Sequence, residues 1–187
     1  MYLTYLSGYV DEENLRYVTT PPLEGLTGLR TDEIDAYTEG HENGFLWQGK
    51  AWPIKEMAQL TTPKGAQVLA TYQQQFYQGQ PVLTRNAVGQ GVCYTLQARV
   101  GIDCLSAVLG DILESHGVKP LVADLPEGVI ATARYDENNT EYLFLLNSNR
   151  QAAQVQLEGR WQRLEDGAEI TGSMEMDAFS IVTLRRL

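Results

Sequence analysis

A change of pattern near residue 120 divides this sequence into two parts that call for different architectures. Before this point, short apolar strand patterns are followed by a single amphipathic helical segment. From residue 128 onward the sequence contains only short strand patterns separated by turn residues. Closely spaced strands without helices are typical of a small antiparallel sandwich. We therefore predict an α/β domain in residues 1–120 and a β-sandwich domain in residues 126–187.

Alternation of apolar and polar residues predicts the strands of the N-terminal part. The predicted strands and hairpins lie at residues 2–6, 44–54, 66–72 and 81–96. Val68, Ala70 and Tyr72 are expected to share one face of their strand. Residues 31–35 are acidic and begin with a possible capping residue, Thr31, so they are predicted to form either one helical turn or an acidic loop.

A helix is predicted over residues 102–116 because apolar residues recur there at helical spacing. The apolar stripe consists of Ile102, Leu105, Val108, Leu109, Ile112 and Leu113. We expect its centre, Leu109, to face the sheet, so that truncation to Ala costs about 2–5 kcal/mol. Gly117 stands where a left-handed glycine ends a helix, and Pro120 prevents its continuation.

In the C-terminal part, strands at residues 129–134 and 142–147 are predicted to flank a turn at 136–139. Further strands are expected at residues 154–157, 161–164, 169–170 and 180–184, with Gly159, Gly167 and Gly172 between them.

Composition and charge exclude several classes of function. The 187 residues are 43% hydrophobic and carry a formal net charge of −10. A nucleic-acid or anionic membrane surface requires clustered Lys and Arg, which this charge opposes. No apolar run is long enough to cross a membrane, and the N-terminus lacks the basic and apolar regions of a signal peptide. Cys93 and Cys104 are expected to be buried free thiols, which indicates a reducing, cytoplasmic location.

Candidate catalytic carboxylates occur in two acidic runs. They are Asp11, Glu12 and Glu13 in the first and Asp32, Glu33 and Asp35 in the second. Two carboxyl groups can hydrolyse a glycosidic bond when the fold holds them about 5 Å or about 6.5–9.5 Å apart. Both runs have the polar composition of surface loops, so we interpret them as solvated charge and predict no catalytic residue.

Cofactor and metal signatures are absent from the sequence. His41-Glu42 is not part of a zinc-binding HExxH motif, and no further ligands stand at metal-like spacing. The run Gly89-Gln90-Gly91 precedes a strand and lacks the third glycine of a dinucleotide fingerprint. Three tryptophans, Trp47, Trp52 and Trp161, are either core residues or a platform for sugar rings. We predict neither cofactor nor metal.

Several segments, in order, resemble glycoside hydrolase family 42 β-galactosidases. The similarity to the second half of the trimerisation domain lies in residues 4–14, 26–35, 65–72, 76–86 and 89–94. Residues 127–134 and 142–147 resemble the start of the small C-terminal β domain of the same family. Together they cover nearly the whole chain. Residues 19–22, Thr-Thr-Pro-Pro, depart from a family stretch that is rich in Gly.

The resemblance implies a partial doubly wound domain, similar to glutamine amidotransferases and flavodoxins, followed by the β-sandwich. The family's domain begins upstream of the residue matching Met1, so we expect the sheet to be N-terminally incomplete. In the family, the catalytic glutamates belong to a preceding (β/α)₈ barrel, one of them in an Asn-Glu pair. This sequence has no Asn-Glu pair, and about 250 residues are needed for a barrel.

The resemblance therefore implies a non-catalytic assembly and support region of a β-galactosidase that hydrolyses terminal β-D-galactosides with retention. Its partners would be further copies of the chain, as in the family's trimer, or the missing catalytic barrel. The alternative is a stand-alone carbohydrate-binding module that uses exposed tryptophans. An amidotransferase-like enzyme is disfavoured because neither Cys93 nor Cys104 occupies a nucleophile elbow.

Overall fold

A computed structural model gives the fold of residues 1–11, 13, 15, 22–38 and 41–187. These residues are mostly β-structure and form three sheets and two helices. The chain divides into two compact units, Met1–Ile112 and Leu113–Leu187. Glu12 and residues 19–21, which figured in the sequence predictions, lie outside the described residues.

The first sheet has four strands in the order β1-β7-β6-β5. Its strands are β1 (Tyr2–Thr4), β5 (Gln67–Thr71), β6 (Pro81–Val88) and β7 (Gly91–Leu96). β1 runs parallel to β7, with Tyr2 opposite Tyr94, and this is the one parallel ladder among the described residues. The predicted hairpin of β6 and β7 is confirmed, and Gly89 takes a φ of 58° in its turn. The predicted common face of β5 is wrong, because register shifts beside Ala70 leave Val68 exposed while Ala70 and Tyr72 are buried.

The second sheet has β2 (Leu29–Ala36), β4 (Lys50–Pro63) and β3 (Gly44–Trp47) in that order, and β8 (Ala98–Val100) also pairs with β4. Residues 31–35 belong to β2, so both predictions for them, a helical turn and a loop, are wrong. Seven residues of β2 pair with β4, and this pairing outweighs the weak strand propensity of the acidic residues.

The predicted hairpin of β3 and β4 is confirmed. Gln48 and Gly49 form its two-residue turn with φ values of 49° and 76°. Positive φ at both positions defines the turn type that matches strand twist, and glycine adopts it without strain.

The two helices are α1 (Glu24–Thr27) and α2 (Ile102–Ser115). The predicted length of α2 is confirmed, but its buried face is narrower than the predicted apolar stripe. Cys104 and Val108 are buried, whereas Ile102 is 73% exposed and Leu113 47% exposed. Neither helix in the described part of the chain is long and apolar enough to cross a membrane.

A left-handed glycine ends α2 as predicted. Gly117 has a φ of 67°, and its N–H donates to the carbonyl of Glu114 at 2.9 Å. The N–H of Val118 donates to the carbonyl of Leu113 at 2.9 Å. This pair of bonds is the Schellman motif, which satisfies carbonyl groups that a helix end otherwise leaves unpaired.

The C-terminal unit contains one antiparallel sheet in the order β12-β11-β13-β10-β9. Its strands are β9 (Val129–Tyr135), β10 (Glu141–Asn147), β11 (Ala153–Arg163), β12 (Glu169–Met176) and β13 (Ile181–Arg186). The antiparallel prediction for this unit is confirmed. Two predicted strands are one continuous strand, β11, because Gly159 lies in an irregularity of the ladder rather than in a turn.

Strand β10 is apolar on both faces. Leu143 and Leu145 point into the core, whereas Leu146 on the opposite face is 39% exposed. Leu146 lies opposite Ile130 of β9 and Ile181 of β13, which are 54% and 66% exposed. An apolar ladder across three strands therefore faces outward.

Each unit has its own hydrophobic core. The first is centred on Phe45, Tyr72, Val82, Leu83 and Val108, together with their buried neighbours. The second is centred on Leu143, Leu145, Val155, Met176 and Leu184.

Candidate functional site

The carboxyl ends of the parallel strands β1 and β7 meet at a small polar chamber. Parallel sheets commonly bind ligands beyond the carboxyl ends of their strands, so this is the first place to look for a site. The chamber is lined by Thr4, Ser7, Gly8, Leu23, Glu24, Thr27, Leu29, Thr31, Gln59, Thr61, Thr95 and Gln97. Among these residues Glu24 alone is ionisable.

Gln59 ties the elements around this chamber together. Its Oε1 accepts a hydrogen bond from the backbone N–H of Leu6 at 2.6 Å, and its Nε2 donates to Thr31 Oγ1 at 2.8 Å. The hydroxyl of Tyr72 donates to the carbonyls of Gln59 and Gln97, at 3.1 and 2.9 Å. These bonds connect β2, β4 and the segment after β1 through buried polar groups, which gives the chamber a fixed wall.

The described lining residues of the chamber show no arrangement that is typical of covalent catalysis. Ser7 lies where a nucleophile could stand after a strand, but no His or Cys is among the described lining residues. A serine needs an adjacent base to become nucleophilic. Gly8 has a φ of 65°, and a Cβ at this position would come within 2.8 Å of Leu23 Cγ. A glycine here therefore permits the close packing of the backbone against Leu23. The hydroxyl and amide groups among the described lining residues can donate and accept hydrogen bonds.

Sequence reasoning missed the chamber. Its signal is the polar residues Gln59, Thr61, Thr95 and Gln97, spaced two apart in strands whose other residues are mostly apolar. Such spacing places both members of each pair on one face of a strand.

A second polar cluster links the end of β2 to the loop between β5 and β6. The hydroxyl of Tyr77 donates to Asp35 Oδ2 at 2.7 Å and lies 2.9 Å from the hydroxyl of Tyr37. His41 Nε2 is 3.4 Å from the same carboxylate oxygen, and its ring stacks on Tyr37 with centroids 4.4 Å apart. The cluster therefore joins two tyrosines and a histidine around one carboxylate.

Burial raises the pKa of Tyr77 well above its ordinary value, and the hydrogen bonds with Tyr37 and Asp35 raise it further. Burial also raises the pKa of Tyr37. Both phenols are therefore neutral donors at neutral pH, which suits a structural clasp and not a general base.

Three carboxylates of the acidic runs, those of Asp11, Asp32 and Asp35, have hydrogen-bond partners in the structure. Asp11 Oδ1 accepts from the N–H groups of Glu13 and Leu15, both at 2.9 Å. Asp32 binds Arg30 at 2.7 Å and accepts from Thr62 Oγ1 at 2.6 Å. Asp35 holds Tyr77, and Glu33 is exposed on β2. The hydrogen bonds of these carboxylates thus hold nearby backbone, the neighbouring strand β4 or the loop between β5 and β6 in place.

Two of the three tryptophans are buried, and the third is partly buried against the first core. Trp52 is 7% exposed and Trp161 is 4% exposed. Lys50 Nζ lies 3.9 Å from the centroid of the Trp52 ring, and Arg186 Cζ lies 4.7 Å from that of Trp161. Trp47 packs against the first core. Their burial matches the core interpretation.

Both cysteines are free and buried, as predicted. Burial raises the pKa of Cys104 to about 11 and also raises the pKa of Cys93. Thiols that stay protonated are poor nucleophiles and poor metal ligands. No group of three His, Cys, Asp or Glu residues is arranged as a metal site in the part of the chain that the structure describes.

Comparison with known proteins identifies the family of this chain. The sequence profile of the β-galactosidase trimerisation domain matches residues 1–119. The chain belongs to this family. The match ends next to the change of pattern near residue 120 that divides the sequence.

Individual family members match over almost the whole chain. The β-galactosidase BgaP of a Planococcus species is 30% identical over 193 residues, covering 98% of this chain and 28% of BgaP. The crystal structure of a β-galactosidase from Bacillus circulans sp. alkalophilus superposes with a TM-score of 0.85 at 30% identity, covering 100% of this chain and 29% of that one. Gan42B, a GH42 β-galactosidase from G. stearothermophilus, gives a TM-score of 0.85 at 25% identity, covering 99% and 27%.

The trimerisation-domain chain thus spans less than a third of the length of these relatives. The resemblance to family 42 β-galactosidases found in the sequence is confirmed.

Proposed function

We propose that this trimerisation-domain chain is a non-catalytic assembly and support region of a β-galactosidase. The observation that carries the proposal is the profile match over residues 1–119 in a chain that spans 28% of BgaP. The parent enzyme would hydrolyse terminal β-D-galactosides with retention of configuration. Its catalytic carboxylates would belong to the part of the enzyme that this chain does not match.

The details of architecture and location form part of the same proposal. We assign residues 1–120 to part of a doubly wound, flavodoxin-like domain, supported by the parallel ladder of β1 and β7 and by helix α2. We assign residues 126–187 to a β-sandwich, because β11 pairs with β13 at only three residues while both parts of the sheet contribute to one core. Two free buried thiols support a cytoplasmic location.

The partners that we propose are further copies of this chain or the catalytic barrel of the parent enzyme. Strand β1 pairs with β7, and no other strand of the described chain pairs with it. Its second edge therefore offers N–H and C=O groups to another strand.

Sedimentation velocity over a hundredfold dilution series tests the assembly role. We expect species heavier than the 20.9 kDa monomer at micromolar concentration, and their fraction should fall on dilution. A single monomeric species throughout the series would contradict self-assembly and leave the barrel as the proposed partner.

A nitrophenyl β-galactoside assay tests the absence of catalysis, with a complete family 42 enzyme as the positive control. We expect release of nitrophenol no faster than with heat-inactivated protein. Turnover that co-purifies with the 20.9 kDa chain would contradict the proposal.

A further inference from the structure

The polar chamber at the carboxyl ends of β1 and β7 contains a cavity of about 20 Å³. A site needs at least about 10–15 Å³ on the same measure to hold one water molecule. The cavity therefore has room for one water and is too small for a sugar, an amino acid or a nucleotide. Its size alone limits the class of ligand.

Three buried polar atoms of its lining residues have no nitrogen or oxygen partner among the described residues. They are Thr61 Oγ1, Gln97 Nε2 and Thr95 Oγ1, and the last of these interacts only with the weakly hydrogen-bonding thiol of Cys93. Their residues are 2%, 4% and 1% exposed, and all three residues line the cavity. Because buried polar groups are almost always paired, three such atoms around one cavity require an explanation.

The backbone geometry explains why the side chains of Thr61, Thr95 and Gln97 lie around one cavity. Thr95 lies near the end of β7, and Gln97 follows that strand directly, two residues further on, where continued extended backbone would project both side chains to the same side. The carbonyl of Gln97 accepts from the N–H of Gln59 at 2.6 Å, which places β4 directly beside this segment. Thr61 follows Gln59 by two residues on β4. The two strands thus present their polar side chains to one space.

We propose that this cavity is a binding site for one structural water molecule. The water accepts a hydrogen bond from Gln97 Nε2 and exchanges hydrogen bonds with the hydroxyls of Thr61 and Thr95. A water with three partners is typical of buried sites, and its ordering costs less than three unpaired polar groups. An amide donor and two neutral hydroxyls suit water better than they suit a cation, which amide N–H groups repel.

The water would bridge β4 and β7 beyond the carboxyl ends of the parallel strands, which is the position where parallel sheets commonly bind ligands. The water replaces a direct side-chain bond between the strands, so the chamber would serve the stability of the sheet.

The chain offers a closely matched pair of variants to test the site. Thr84 is fully buried, its Oγ1 also has no partner among the described residues, and it does not line the cavity. It lies directly opposite Thr95 on the neighbouring strand. Replacing each Thr by Val removes one hydroxyl at nearly constant volume, so only the effect of the water differs.

We expect T95V to lower the melting temperature by about 2–4 °C, since it removes a hydrogen bond to the water. T84V should leave the melting temperature unchanged or raise it, because it removes an unpaired buried hydroxyl. Equal effects of the two substitutions, or stabilisation by T95V, would overturn the proposal.

A direct observation keeps the test independent of the variants. Laboratory-frame and rotating-frame NMR spectra of the unmodified chain should give cross-peaks between water and amide protons of residues 95–97, with the opposite signs in the two experiments that a long-lived bound water produces. Such peaks should be absent at residue 84. A high-resolution crystal structure should place one water within hydrogen-bond distance of Thr95 and Gln97. Absence of these peaks, or a cavity closed by direct contact of the side chains, would refute the site.

Discussion

Truncation of Val108 to Ala tests which face of helix α2 is buried. Val108 is fully buried in the first core, whereas Ile102 on the same helix is 73% exposed. The substitution removes two buried carbon groups, worth about 1.6 kcal/mol in lost transfer free energy. A residual cavity of roughly 40 Å³ at about 24 cal/mol per Å³ adds about 1 kcal/mol. We therefore expect the free energy of unfolding to fall by about 2–3 kcal/mol.

Urea unfolding followed by tryptophan fluorescence provides the measurement. Trp47 and Trp52 lie in the first unit and Trp161 in the second, and two units need not unfold together. Both proteins should therefore carry Trp161→Phe, so that fluorescence reports on the first unit alone. The midpoint should shift at an unchanged slope, because a change in slope indicates altered denatured-state compactness.

Ile102→Ala is the matched control on the same helix. It removes apolar surface that is already in water, so the expected change is under about 0.5 kcal/mol. A loss for Ile102→Ala as large as that for Val108→Ala would show that Ile102 is buried as well, and would contradict the exposure of Ile102 seen here.

Three further perturbations test other parts of the structure. Gly128→Ala should destabilise more than Gly172→Ala in thermal melts: both have φ near 75°, but only at Gly128 would the new Cβ meet a side chain within 2.2 Å. Equal losses would contradict the clash. The contribution of Cys104 and Tyr2 to the free energy of unfolding should be fully present below about pH 9 and should fall towards pH 12. The reason is that burial raises the pKa of Cys104 from 9.0 to about 11 and that of Tyr2 from 10.0 to about 12. Folding thus holds protons that the unfolded chain releases. In melts across this range, Cys104→Ala should lose less stability between pH 9 and 11. Asn147→Leu should cost about 2–4 kcal/mol in urea unfolding, since the buried amide donates to two backbone carbonyls at 3.0 and 2.8 Å. A cost below about 0.5 kcal/mol would mean that those carbonyls find other donors.

The strands were predictable wherever pattern and turn chemistry agree. The β3–β4 hairpin follows from alternation around Gly49, and β9 and β10 follow from an Asx-type turn at Asp136, whose Oδ1 accepts from Asn138 and Thr140. Where the sequence is acidic, as in β2, tertiary pairing overrode local preference. No local signal reports such pairing in advance.

The helix and the polar chamber show two other limits. The apolar stripe of α2 is wider than its buried face, so periodicity alone could not decide between Val108 and Leu109 as its centre. Leu109 is half-buried, and the cost of truncating it should be below the range that the stripe predicts. The chamber depends on contacts between β4 and β7, which lie far apart in sequence. Its residues were visible only as scattered Thr and Gln.

The outward-facing apolar ladder of Ile130, Leu146 and Ile181 affects how this chain folds during translation. β10 is apolar on both faces, and β13, which pairs with one of its edges, follows it in the sequence and is therefore synthesised later. Until β13 is synthesised, the segment Tyr142–Leu146 has one unpaired edge and is apolar on both faces. The segment is uncharged and contains no Pro, and such a composition favours intermolecular β-stacking. Slow translation should therefore lower the soluble yield, and a chaperone that shields β10 should restore it. In this chain, the order of synthesis itself becomes a hazard to folding.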